Sequence, residues 1–131
     1  MAIPKPGKKV RGSDSGTPMN ALFDLLGRRW ALGILWNLGD GPATFRDLQE
    51  RCGGVSPSIL NGRIKELKDS GIIERTLEGY ALTPRGRELR EIIVPIGKWA
   101  IHWSDEVFHY KKPGSERVIN DTFKADPEAE A

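Results

Sequence analysis

The sequence predicts a mainly α fold with one small β-hairpin. Three observations carry this: two short helical segments joined at the glycine turn Gly53-Gly54, a brief hairpin pattern around Leu77-Glu78-Gly79, and a long apolar-striped segment that begins at Thr83-Pro84. With 131 residues, 38% hydrophobic and 29% charged, the chain suits a single soluble domain with one core. No apolar run approaches the roughly 18 residues that could span a bilayer, so no membrane association is expected. The basic opening MAIPKPGKKV is followed by no apolar stretch and no small-residue cleavage site, so it does not read as a secretory signal. Cys52 is the single cysteine and permits neither an internal disulfide nor a multi-cysteine zinc site, which fits a reducing, cytoplasmic setting.

Each element has a local reason. Thr17-Pro18 is a cap followed by a first-turn proline, and Leu22, Leu25 and Leu26 recur at helical spacing until Gly27. A second helix is predicted over Arg28 to Leu38, where Trp30, Ile34, Leu35 and Leu38 form a stripe that stops at Gly39-Asp40-Gly41-Pro42. Gly33 within it is expected to mark close packing against another helix. Thr44 caps a third helix to Cys52, with Asp47 as capping-box partner and Phe45 and Leu48 facing inward. After Gly53-Gly54-Val55, Ser56-Pro57 restarts a helix in which Leu60, Ile64 and Leu67 make the apolar face, and Ser70-Gly71 ends it. Ile72 to Thr76 and Tyr80 to Leu82 are the strands of the hairpin. From Thr83-Pro84, the residues Leu89, Ile92, Ile93, Ile96, Trp99, Ala100, Trp103 and Val107 follow a helical period to about Tyr110, with Pro95 expected to kink or break the helix. That order is the outline of a winged helix-turn-helix with a C-terminal dimerisation helix.

Three regions follow. Residues 1–16 read as a disordered basic N-terminal arm, where Lys5, Lys8, Lys9 and Arg11 outnumber Asp14. Residues 17–111 read as the winged helix-turn-helix domain with its helical extension, and residues 112–131 as a flexible acidic C-terminal tail. Net charge is only +2, so any claim about nucleic acid rests on where side chains point.

On the helix 57–70, the side opposite Leu60, Ile64 and Leu67 presents Ser58, Gly62 and Lys65, flanked by Asn61 and Glu66. Lys65 can take a phosphate or a guanine, Asn61 has the donor and acceptor pair that matches adenine, and Gly62 lets backbone approach a groove. Ser56 and Ser58 join this candidate DNA-binding set. Arg63 and Lys68 lie nearer the edges and suit phosphates, as does Arg75 beside the hairpin. Thr44 and Arg46 open the preceding helix, whose free N–H groups favour a phosphate. The plain alternative for these residues is capping and solvated charge. Lys8, Lys9 and Arg11 could sweep nearby DNA, although a solubilising tail is the stronger reading.

Ile92, Ile96, Trp99 and Trp103 give the long helix more apolar surface than it can bury alone, so they are the candidate dimer interface, with packing on the chain's own first helix as the alternative. His102, Glu106 and His109 share a helical spacing but lack further ligands, so no metal site is assigned. Cys52 reads as a buried, inert thiol. No catalytic constellation stands out, so no enzyme and no cofactor is expected.

Gly27-Arg28-Arg29-Trp30 with Ile34-Leu35, and Gly41-Pro42-Ala43-Thr44-Phe45-Arg46-Asp47-Leu48, resemble the opening of HxlR-type transcriptional regulators. The likeness continues through Val55-Ser56-Pro57-Ser58-Ile59-Leu60-Asn61, Arg63-Ile64-Lys65-Glu66-Leu67, Ser70-Gly71-Ile72-Ile73 and Tyr80-Ala81-Leu82-Thr83-Pro84-Arg85-Gly86, ending near Trp99. The resemblance implies a prokaryotic, homodimeric, DNA-binding regulator of transcription. Where many members carry a cysteine before the first helix, this chain has Thr17-Pro18-Met19-Asn20, so thiol sensing there does not carry over. The hairpin is short for a wing and has Glu78 at its tip, which argues against deep minor-groove insertion. The resulting expectation is a dimeric regulator that reads an inverted-repeat operator in double-stranded DNA with the helix 57–70. A winged-helix module that docks protein without DNA is the alternative. A small apolar effector is expected between the long helix and the first two helices, near Trp30, Trp36 and Trp99.

Overall fold

The computed structural model describes residues 3–111; the acidic tail expected at 112–131 lies outside them. The elements run α1 (Pro18–Leu26), α2 (Ala31–Asn37), α3 (Phe45–Arg51), α4 (Pro57–Asp69), β1 (Ile73–Thr76), β2 (Gly79–Leu82) and α5 (Pro84–Phe108). This is the mainly α, winged helix-turn-helix order that the sequence predicts.

Helix starts follow the caps. The hydroxyls of Thr17, Ser56 and Thr83 accept hydrogen bonds from the backbone N–H of Asn20, Ile59 and Gly86, each with a proline next in sequence. Thr44 and Asp47 form the reciprocal capping box, both bonds at 3.1 Å. α2 departs from expectation: it begins at Ala31 rather than Arg28, because Trp30 takes a left-handed conformation with φ of 76° and cannot be a helical residue. α5 is not broken at Pro95. Both Pro95 and Glu91, whose carbonyl loses its donor, are exposed, so water can satisfy that group.

α2 is the central element, packed by α1, α3, α4 and α5. Ile34, Leu35 and Trp36 are all buried, and Leu48, Leu60 and Leu67 close the core around them. β1 and β2 pair antiparallel from Ile73 opposite Leu82 to Thr76 opposite Gly79. Ala43 and Tyr80 exchange backbone hydrogen bonds of 2.9 and 2.8 Å, which ties the hairpin to the residue before the α3 cap. Gly79 permits this approach: its φ is +128°, and a Cβ there would sit 2.5 Å from the Ala43 carbonyl oxygen.

Within the N-terminal segment, residues 3–16 form turns beside α1. Gly7 N–H donates to Gly16 O at 2.8 Å, Val10 bridges Ser13, and Arg11 donates its backbone N–H to Asp24 at 3.3 Å while its guanidinium lies 3.4 Å from the same carboxylate. Asp24 supplies the anchor, a tertiary contact that composition does not encode.

Gly33 also differs from expectation. No side chain and no atom of another element lies within 4 Å of where its Cβ would stand, so it does not mark close packing against another helix among the described residues. The Gly33→Ala change should therefore stabilise the protein by about 0.5–1 kcal/mol through the helix-propensity gain, read as a higher urea midpoint with an unchanged slope. A loss of stability would show that the position is crowded after all.

Candidate nucleic-acid interface

The outer face of α4 carries Ser58, Asn61, Lys65 and Lys68 exposed, with Gly62 half-buried among them. Asp69 shares this face: its carboxylate accepts a 2.8 Å hydrogen bond from Lys65 Nζ. That bond holds the Lys65 ammonium above its ordinary pKa and the Asp69 carboxyl below its own. The i, i+4 spacing of Lys65 and Asp69 is readable in the sequence, so the pair was there to be found.

Two side chains expected at the edge of this face are turned elsewhere. Glu66 is only 7% exposed, because the connector between α1 and α2 packs on its side of α4. Its carboxylate is clasped by the guanidinium groups of Arg28 and Arg63. Arg63 also donates Nε–H to the Arg29 carbonyl at 2.9 Å, so two of its five N–H donors are held inside the fold. Arg28 reaches Asp24 as well, at 3.8 Å. The chain Arg11, Asp24, Arg28, Glu66, Arg63 thus runs from the N-terminal turns to α4. Sequence reasoning missed it because its decisive link, Arg28 to Glu66, spans 38 positions.

At the start of α3, Thr44 and Arg46 are exposed. The Thr44 backbone N–H already donates to Asp47, whose carboxyl those Thr44 bonds hold below the usual range. Arg46 is left as the outward cation of this turn. The exposed Ser56 caps α4, its hydroxyl accepting from the Ile59 N–H at 3.4 Å as Thr44 does for Asp47. Arg75 lies over the Tyr80 ring at 5.9 Å, on the exposed side of the hairpin. The hairpin tip projects Leu77 fully into solvent, with Glu78 exposed beside it.

The apolar stripe on α5 does not fold back onto the chain. Ile92, Ile96, Trp99 and Trp103 are 45% to 64% exposed, and Met19 and Phe23 of α1 are similarly bare. Trp99 and Trp103 stack with centroids 6.0 Å apart, and Phe108 meets Trp103 edge-on at 5.1 Å. His109 leaves the helix in a left-handed conformation, and among the described residues no group of three or more His, Cys, Asp or Glu gathers to hold a metal. Cys52 is buried, which pushes its thiol above the ordinary pKa and disfavours the thiolate.

Residues 25–108 match the family model described as HxlR-like helix-turn-helix. The HTH-type regulator YodB of Bacillus subtilis is 34% identical over 89 residues, covering 63% of this chain and 80% of YodB. YvaP of the same organism, an uncharacterised HTH-type regulator, is 32% identical over 92 residues, covering 65% of this chain and 85% of its own. The structure of quinone-bound YodB superposes with a TM-score of 0.59 at 36% identity, covering 63% of this chain and 93% of that one. A possible HxlR-family factor from Thermoplasma volcanium gives 0.57 at 34% identity, covering 63% and 81%.

The clasp on Glu66 has a measurable cost of removal. In Glu66→Ala two arginines would face each other in a largely buried site, so unfolding free energy should fall by about 3–5 kcal/mol in urea titration. A change within about 0.5 kcal/mol would show that the clasp contributes nothing to the fold.

Proposed function

Since the chain belongs to the HxlR family of helix-turn-helix transcriptional regulators, and is a regulator and not an enzyme, we propose that it acts as a homodimer reading an inverted-repeat operator in double-stranded DNA. The observation that carries this is the outer face of α4, where Ser58, Asn61 and Lys65 stand exposed on a helix whose other side is anchored in the core. In a major groove, Asn61 offers the paired donor and acceptor that adenine matches, and Lys65 a cation for guanine or phosphate. Lys68, Arg46 and Arg75 are the phosphate contacts, with Thr44 and Ser58 beside them as hydroxyl donors. Arg63, paired with Glu66, helps to orient α4 and keeps further N–H donors for a phosphate.

The bare stripe of α5 supports the dimer. Its large apolar side chains are costly to leave in water, and a two-fold pair of chains would bury each stripe against its copy. Two recognition helices set by that seam would meet half-sites whose centres are about 10 bp apart, or a multiple of that. Control by a small uncharged apolar molecule belongs to the same reading. The relative YodB has been solved with quinone bound; here the single thiol is buried, so contact would be noncovalent.

Gel shifts at two salt concentrations test the DNA reading. Asn61→Ala should relax base preference at one position by about 1–3 kcal/mol, whereas Lys68→Ala should weaken every sequence alike and reduce the salt slope by about 1. Asp69→Asn should tighten binding to all sequences, because it frees Lys65 and removes an anion from the DNA face. Unchanged binding in all three variants would move the interface off α4.

The dimer is tested by sedimentation. Trp99→Ala combined with Trp103→Ala should yield a monomer that has lost cooperative operator binding. A double variant that stays dimeric would place the seam elsewhere.

A further inference from the structure

Between α1, α2 and α5 lies an apolar groove of about 440 Å³, lined chiefly by Phe23, Leu26, Leu32, Ile93, Gly97 and Ala100. It falls within the roughly 300–1,000 Å³ usual for small-molecule sites. No side chain lining it carries a polar or charged group, so a charged occupant would lose its hydration with nothing in return. The groove also sits apart from the seam. At 100° per residue, Ile93, Gly97 and Ala100 point roughly 100° around α5 from the stripe Ile92, Trp99 and Trp103, and only Ile96 borders both. A second chain seated on the stripe would therefore wall the groove rather than fill it.

We propose that this groove is a binding site for an uncharged, largely apolar molecule about the size of a two-ring aromatic, held noncovalently between α1, α2 and the dimer helix. The proposal rests on the dimer reading above and gives its effector a place. The site reaches the end of α1 at Leu26 and Gly27, next to Arg28, whose guanidinium clasps Glu66 of α4.

The neutral fluorophore prodan, a naphthalene, is the probe. The full-length protein should bind it saturably with a blue-shifted emission, and Ala100→Phe, which projects a ring into the groove, should weaken that binding at least tenfold. Ala100→Met, a milder filling, should weaken it several-fold, and thermal melts together with sedimentation check that both variants remain folded dimers. Undiminished uptake by a folded Ala100→Phe dimer would overturn the site, as would absence of saturable uptake by the parent dimer. Uptake by the Trp99→Ala, Trp103→Ala monomer but not by the dimer would assign the groove to the partner chain and also overturn it. A monomeric parent chain would instead sink the dimer reading, while uptake blocked by Ala100→Phe would leave the groove standing.

Discussion

A carboxylate withdrawn from water fixes the relation between the outward face of this protein and its core. Glu66 lies on α4, and the two guanidinium groups that hold it come from different places, Arg63 one turn earlier and Arg28 on the connector after α1. An unpaired carboxylate at that depth would cost several kcal/mol, so the connector is obliged to bring Arg28 across. This obligation sets the roll of α4 about its axis, because Glu66 must face the connector while Leu60, Ile64 and Leu67 face the core. Ser58, Asn61 and Lys65 then have only the outward direction left.

The connector follows the same constraint. Arg28 reaches α4, Arg29 offers its carbonyl to Arg63, and Trp30 turns left-handed before α2 starts. A left-handed tryptophan carries a conformational cost of order 1 kcal/mol or more that nearby contacts must offset. The offset is visible on both sides of it: the ion pairs behind, and ahead the burial of Ile34, Leu35 and Trp36 at the centre of the domain. Arg29 lies over the Trp30 ring at 5.1 Å and covers part of what that turn exposes.

What was legible in the sequence was local. A hydroxyl followed by proline at Thr17, Ser56 and Thr83 predicted three helix starts to the residue, because the cap and the fixed proline φ act within one turn. The capping box at Thr44 and Asp47 was equally short in range. What stayed hidden depends on residues far apart in the chain. A helical wheel treats Glu66 as the edge of a polar face, since it knows nothing of Arg28. Arg63 and Glu66 are a local i, i+3 pair, but the Arg29 carbonyl that also takes Arg63 lies 34 positions away. Trp36 lies outside the apolar stripe of a half-buried helix, yet α2 is covered on nearly every side, which only the packing of four other helices decides. Gly33 suggested a tight crossing, but the backbone alone does not say what stands opposite it.

The two backbone hydrogen bonds between Ala43 and Tyr80 make the hairpin and the first turn of α3 parts of one rigid frame, and the missing side chain of Gly79 is what lets them close. Arg46 and Arg75 stand on the two elements that this frame joins, so the spacing of their backbones is built in. For a duplex gripped as proposed, the protein would supply fixed calipers and the DNA would do the adjusting. Stretches whose grooves already have the matching width would bind without bending work, and stiffer stretches would pay for each degree of deformation. Discrimination would then extend to base pairs that no side chain touches, through the mechanics of the nucleic acid rather than through contact.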